Sequence, residues 1–467
     1  MRKASFLALA ALGLAGCATV EPRALPEVAV PSSFKHGATW AAAQPADTLD
    51  RGSWWRAFDD PVLDGLMAKV DAATPTLAAA LARYDQAVAN ARAAGAAQYP
   101  TLDAQASASR ERLSAGRPVG PGEPVTVNQF ILGGALSYEV DLWGRVRHAV
   151  HAAQADVEAE AANLQSARLS LQAAVADLYI RLRGIEAEQM LLEQTVSAYE
   201  RAHQLILTRY EGGIASGVDV NRSQAQLSSV AARTEALQAD YAEMEHRLAV
   251  LIGEMPSTFS LAPQARPAAL PAFPGGVPSE LLQRRPEIAA AQRRLAAANA
   301  RIGVARAAFF PSLSLGLAGG FQATEAPIIS APTSFWALGP LSAALNLFDG
   351  GRRKARLEMS KAQYEELAAN YRNAVLEAFR DVEDALARLG ALERQGTRQS
   401  EAAAAASRAE ELALDRYHDG AADYLEVTTA QAASLAAQQE SIRVSVDQRR
   451  AAIALVRAIG GGADRTL

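Results

Sequence analysis

The sequence predicts a mainly α protein with a membrane β-barrel, built from duplicated helix–hairpin–helix halves that carry four β-strands per chain. Three observations predict it. A motif late in the first half recurs in register in the second. Four segments alternate apolar and polar residues with period two, and one long proline-free stretch carries an apolar residue at every seventh position.

The N-terminus sets the compartment. Met1-Arg2-Lys3 is a short positive region, and the apolar run Phe6 to Leu14 is too short to span a bilayer. It ends in Leu14-Ala15-Gly16-Cys17, the pattern of a bacterial lipoprotein signal, so residues 1–16 are expected to be removed and Cys17 to carry the lipid. Three acyl chains exceed the two signals that stable anchoring needs. Ala18, rather than Asp, after the cysteine suits outer-membrane sorting. Residues 17–53, rich in Pro and Ala, read as the lipid anchor and an extended tether.

Trp54 to Ala97 reads helical, with a restart at Pro75. The repeat is the central feature. Arg209-Tyr210-Glu211-Gly212-Gly213 recurs as Arg416-Tyr417-His418-Asp419-Gly420. The offset holds for Asp219-Val220 against Glu426-Val427, Gln224-Ala225 against Gln431-Ala432, and Ile252-Gly253 against Ile459-Gly460. Halves of about 200 residues are too long for solenoid units, so a whole module is duplicated. The first repeat is placed at 54–255, a linker at 256–285, the second repeat at 286–460 and a tail at 461–467.

Strands are expected at about 100–112, 128–141, 311–323 and 334–347. Leu102, Ala104, Ala106 and Ala108 alternate with Thr101, Asp103, Gln105, Ser107 and Ser109. Phe130, Leu132, Leu136, Tyr138 and Val140 share a face opposite Gln129, Ser137, Glu139 and Asp141. The second half places Leu313, Leu315, Leu317 and Phe321 against Ser312, Ser314 and Gln322, with Phe335, Leu341, Leu345 and Leu347 on the apolar face of the last strand. Such alternation suits strands with a wet lumen and a lipid face. No later stretch reaches about 18 uninterrupted apolar residues, so a membrane crossing must use strands. Four strands cannot close a barrel, and two chains would leave a bore that side chains nearly fill; three chains leave room for a pore.

Arg145 to Tyr210 contains no proline, and Val150, Val157, Leu164, Leu171, Leu178, Ile185, Leu192, Tyr199 and Ile206 fall on one heptad seam. A strict seven-residue repeat demands supercoiling against neighbours. This segment would extend roughly 100 Å as a helix. The return helix carries the seams Leu227-Thr234-Tyr241-Leu248 and Val230-Leu237-Met244-Leu251; Arg352 to Tyr417 and Leu425 to Ile459 repeat the arrangement.

Trp54-Trp55, Asp60-Pro61, Arg285-Pro286-Glu287-Ile288, the run Ala305 to Leu313 and the two Arg-Tyr tips resemble TolC-like outer-membrane efflux proteins, most closely the lipoprotein (NodT-like) branch. The resemblance runs from about Trp54 to Gly460. It implies a homotrimer in the outer membrane with a twelve-stranded barrel, a long periplasmic α-helical barrel, and a collar drawn from near Ile185, Pro256 to Pro286 and the termini. It also implies a periplasmic adaptor (membrane fusion) protein, an inner-membrane efflux pump and outer-membrane lipid as partners.

The tip residues admit two readings. Gly213 and Gly420 suit left-handed helix ends, and Ser216 to Asp219 and Asp423 to Glu426 both fit a capping box. In the other reading Arg209, Tyr210, Gly213, Asp219, Arg416, Tyr417, Gly420, Asp423 and Glu426 form an adaptor contact or periplasmic gate, with acidic residues ringed around a narrow mouth. Family members commonly read Leu-Asp-Ala-Gln where this chain has Thr428-Thr429-Ala430-Gln431, so an acidic gate would fall to Asp423 or Glu426.

Other function classes find little support. A net charge of −5 supplies no basic excess for nucleic acid. Cys17 is the sole cysteine, so neither an intrachain disulfide nor a Cys-based metal site is expected. His148 and His151 read as a solvated helix face rather than a metal site. Lacking a nucleophile–base constellation or a phosphate-binding loop, the chain is expected to be no enzyme and to need no cofactor. The competing class is a coiled-coil periplasmic lipoprotein acting as spacer or adaptor, which leaves the strands and the duplication without purpose.

Overall fold

A computed structural model describes Lys35, residues 53–116, 122–264, Leu270, 285–324 and 334–461. Cys17 lies outside the described residues, as does most of the expected 256–285 linker. The chain divides into two units.

The first unit comprises, among the described residues, Arg83–Ala161 and Ala290–Arg372. Four strands, β1 (Thr101–Leu113), β2 (Val125–Val140), β3 (Ser312–Ala323) and β4 (Ser334–Ala344), form one antiparallel sheet in chain order. Paired residues share a face, so the register tests the alternation directly. Leu102 pairs with Leu136, Leu136 with Leu317 and Leu317 with Leu338. That face is apolar, and Leu102 (76%), Trp336 (80%), Leu338 (75%) and Leu341 (71%) are largely exposed on it. Gln105, Ser137, Ser314 and Ser342 lie on the other.

Three strand expectations are corrected. β2 begins at Val125, because Val125 and Val127 continue the ladder opposite Leu113 and Glu111. β4 ends at Ala344, leaving Leu345 and Leu347 beyond it. Phe335 sits on the polar face, opposite Gly320. The cause is a register shift: Leu315 pairs with Leu341 but Leu317 with Leu338, so β4 carries an extra residue at Gly339-Pro340, where proline cannot donate to the ladder. Parity reverses across that bulge.

The strand-to-helix turns after β2 and β4 each carry an aspartate. Asp141 accepts hydrogen bonds from the Val146 and Arg147 backbone N–H groups, and Asp349 from Gly351 and Arg353. Burial would raise the Asp141 carboxyl, but these bonds and Arg147 outweigh it and hold the group below the usual carboxylate range. Beyond the turn, α3 (Arg145–Glu211) meets α5 (Pro286–Ala307) through Arg293–Glu158 (3.2 Å), Arg294–Glu160 (3.7 Å) and Arg301–Asp156. His148 departs from its expected solvated face. It is half-buried against Gly303, where a β-carbon would come within 2.6 Å of the ring. Burial lowers its pKa.

The second unit comprises, among the described residues, Lys35, 53–82, Ala162–Ala289 and Asn373–Leu467. A 3-10 helix, Trp54–Phe58, precedes α1 (Pro61–Ala73) and α2 (Pro75–Ala96). Asp60 caps α1 through the Val62 and Leu63 N–H groups, with Pro61 at the first helical position where no N–H is needed. Its second oxygen accepts the Tyr179 hydroxyl at 2.6 Å. Trp54, Trp55, Phe58, Leu63, Met67 and Val70 bury themselves against α3 from Leu169 to Leu182. The core continues into α4 (Gly217–Ile252) through Leu248 and into α7 (Tyr424–Ala458) through Ile453 and Val456. Arg285 anchors the start of α5 to Asp381 of α6 (Arg352–His418) at 3.0 Å. All nine heptad positions of α3 are buried or half-buried. Leu192 and Tyr199 pack with Val230 of α4 and Leu435 of α7, so the helix has neighbours on two sides.

Candidate functional site at the hairpin tips

Two helical hairpins, α3–α4 and α6–α7, carry the predicted tip residues. Both turns have the same backbone geometry. Gly213 (φ 74°) and Gly420 (φ 75°) occupy the left-handed region that costs glycine no steric strain. Gly213 N–H donates to Tyr210 O and Ile214 N–H to Arg209 O; Gly420 N–H donates to Tyr417 O and Ala421 N–H to Arg416 O. These paired bonds satisfy the last carbonyls of α3 and α6.

The caps beyond them differ. Ser216 Oγ accepts from the Asp219 N–H at 3.2 Å, and Asp219 Oδ2 accepts from the Ser216 N–H at 3.2 Å, completing a capping box. On the second tip Asp423 Oδ1 accepts from the Glu426 N–H at 3.0 Å, but Glu426 turns away. Its carboxylate pairs with Arg416 Nη1 at 3.0 Å, so the second expected box is only half formed.

The side chains of the repeated Arg-Tyr pair part company. Tyr417 is 9% exposed and packs with Ile206, Tyr424 and Val427, its ring 5.5 Å from that of Tyr424. Tyr210 is 51% exposed. Arg209 crosses to the second hairpin: Nη1 donates to Tyr417 O at 2.9 Å and Nη2 to His418 O at 2.7 Å, with the guanidinium 4.8 Å from the Tyr417 ring. It thereby adds positive charge to the C-terminal end of α6, which the helix dipole favours. Arg416 stays on its own turn, donating to Ala421 O at 3.3 Å as well as to Glu426. Burial pushes the Tyr424 hydroxyl up to about 12, with Tyr417, Tyr199 and Asp219 adding to the shift.

The hairpin interiors hold polar groups that belong to no sequence motif. His203 Nδ1 lies 2.7 Å from Ser223 Oγ, both buried. In the second hairpin Gln438 Nε2 donates to Ser407 and Ser434, and Glu410 also bonds Ser434. Their signal in sequence was a polar residue interrupting an apolar seam.

The family model described as outer membrane efflux protein matches residues 66–254 and 277–461. The chain belongs to this family. It is similar to the pyoverdine export outer membrane protein OpmQ of Pseudomonas aeruginosa, with 33% identity over 97% of this chain and 95% of that protein. It is also similar to the outer membrane protein OprJ of the same organism, with 32% identity over 99% and 97% of the two chains. Among solved structures, the outer-membrane channel OprN superposes with a TM-score of 0.84 at 31% identity, covering 94% of this chain and 99% of its own. As an outer membrane efflux protein, the chain is a channel component of an efflux system and not an enzyme. The mainly helical fold with its strands matches such channels, and a spacer lipoprotein is set aside as the function.

Proposed function

We propose that three copies of this efflux protein close one twelve-stranded barrel in the outer membrane and that their long helices form its periplasmic part. The single observation supporting this is the four-stranded sheet: one face is apolar and exposed, and β1 and β4 are edge strands within the chain. Exposed apolar edges invite aggregation unless they are paired, and closure across copies removes every edge.

The tips are proposed as the periplasmic mouth, where an adaptor delivers substrate supplied by an inner-membrane pump. Exposed Tyr210, Ile214 and Val218 offer the adaptor an apolar contact. Arg209 on Tyr417 and His418 latches the two hairpins of one chain. Because Glu426 is neutralised by Arg416, acidic repulsion around the mouth would rest on Asp219 and Asp423. Cys17 is proposed as the acylated first residue of the mature chain, which intact mass of membrane-extracted protein would register as loss of residues 1–16 plus lipid.

The deciding test is an arginine scan of the sheet. Arg at a lipid-facing midplane position costs about 2–4 kcal/mol. Replacing Leu102, Phe130, Leu136, Leu313 or Leu341 should reduce heat-resistant trimer and planar-bilayer conductance, most strongly at the more central sites. Gln105→Arg and Ser314→Arg should retain trimer. Equal tolerance on both faces would sink the barrel reading.

A further inference from the structure

The apolar face of the sheet changes chemistry at one end. On β1, Ala104, Ala106 and Ala108 follow Leu102 on that face, with Leu132 and Phe130 of β2 opposite the last two. The next two positions on the same face are Arg110, opposite Asn128, and Arg112, opposite Thr126. All four of these residues are exposed. Neither guanidinium has an ion pair or a side-chain hydrogen bond among the described residues. The neighbouring carboxylates do not serve them. Glu111 lies on the other face, and Glu123, in the turn between the strands, pairs with neither.

These arginines stand at the opposite end of the strands from the helix junctions, since α2 leads into β1 at Thr101 and β2 leads into α3 at Arg145. Leu102 to Arg110 rises about 27 Å along the strand, or about 20 Å along a barrel axis at a tilt of roughly 40°. The apolar band of an outer-membrane barrel is about 25 Å tall, so Arg110 sits at its far rim and Arg112 just above. An arginine on the lipid face is costly at the midplane and nearly neutral at the interface. Two consecutive arginines of that face therefore stand at headgroup level, roughly 7 Å apart, with apolar surface directly below them.

We propose that Arg110 and Arg112 bind a phosphate-bearing lipid of the outer leaflet, whose acyl chain lies along the alanine track of β1. The site rests on the barrel reading above, which turns the apolar face to lipid. Each guanidinium offers parallel N–H donors that two oxygens of one phosphate fill, and the Asn128 amide adds a donor beside Arg110. Ala104, Ala106 and Ala108 leave the surface lower than Leu132 and Phe130 do across from them, which gives a chain a shallow bed. A cationic rim continuous with that bed fits an anionic lipid better than a soluble anion, which would leave the apolar part uncovered.

Diphosphorylated lipid A serves as the probe, titrated into the detergent-solubilised full-length protein, with retained lipid read by native mass spectrometry. Its phosphate-free form and inorganic phosphate are the comparators. The wild type should hold the phosphorylated lipid about tenfold or more tightly than the phosphate-free form, and the preference should weaken as salt rises. Arg110→Gln combined with Arg112→Gln should abolish the preference, and Lys at both positions, which keeps charge and loses the parallel donors, should leave an intermediate one. Glu111→Gln, on the opposite face, should change nothing. Heat-resistant trimer is scored for every variant, and the wild-type comparison carries the test should the glutamine pair fail to assemble. A wild type that forms no trimer would remove the barrel reading and this site together. A wild-type trimer with no preference for the phosphorylated lipid would overturn the lipid site alone. So would an intact preference in the assembled glutamine variant, or displacement of the lipid by equimolar inorganic phosphate.

Discussion

The two hairpins share an ancestry visible in their turns and differ in nearly everything their side chains do. Gly213 and Gly420 adopt the same backbone angle and close the same hydrogen bonds. Yet Arg209 spans to the neighbouring hairpin while its counterpart Arg416 is held by Glu426, and Tyr417 is buried while Tyr210 faces solvent. The interiors diverge too. The first hairpin buries the pair His203 and Ser223, where the second has a polar cluster of Ser407, Glu410, Ser434 and Gln438. Duplication preserved what the backbone needs to reverse direction. The side chains then specialised into a donor hairpin and an acceptor hairpin.

The largest expected contrast is between the two tyrosines. Removing a buried aromatic ring costs about 3–5 kcal/mol, whereas an exposed substitution away from special features stays within about 0.5 kcal/mol. Tyr417→Ala should therefore open the tip to hydrogen exchange and proteolysis, and Tyr210→Ala should leave both unchanged. Similar effects of the two would mean the tips are equivalent in the assembled protein.

A smaller contrast separates the arginines. Arg209 makes one part-buried and one exposed bond to carbonyls, and hydrogen bonds from a charged group contribute about 1.5–3 kcal/mol when shielded from water, against at most about 1 kcal/mol for an exposed ion pair. Arg209→Met should loosen the second tip and raise resting conductance in single-channel recordings. Arg416→Met should do much less, and Glu426→Gln should resemble it, because the Asp423 cap uses the Glu426 backbone N–H and not its carboxylate. If Arg416→Met opened the channel more than Arg209→Met, the latch would have been assigned to the wrong hairpin.

Much of this architecture was legible because it follows from periodicity. The α3 seam, the strand faces and both turns depend on spacing and on glycine, which sequence displays directly. The extra residue at Gly339-Pro340 was not legible, since alternation read straight through it placed Phe335 on the wrong face. Nor was the direction of Arg209. Identical Arg-Tyr pairs carry no mark of which one will reach across, because that depends on which neighbour lies beside it. Glu426 shows the same limit: a capping-box spacing permits the reciprocal bond, and a nearby guanidinium outcompetes it.

The smallest expected effect tests the polar seam itself. Glu410 stands at the position equivalent to His203, so the two hairpins place a half-buried carboxyl and a buried imidazole at matching points. Burial raises the Glu410 pKa, Glu411 adds to the rise, and the hydrogen bond with Ser434 opposes it. A carboxyl raised on folding binds its proton more tightly in the native state, so its ionisation costs stability as pH rises above the ordinary carboxyl range. Acidification should return that stability to the wild type. Glu410→Gln keeps a hydrogen-bonding group for Ser434 and cannot ionise. Its apparent thermal midpoint should exceed the wild type's near neutral pH, and the gap should narrow steadily as pH falls toward the ordinary carboxyl range. A gap that widens on acidification would mean Glu410 is held ionised by its surroundings, and the two hairpin interiors would then be electrostatically more alike than their residues suggest.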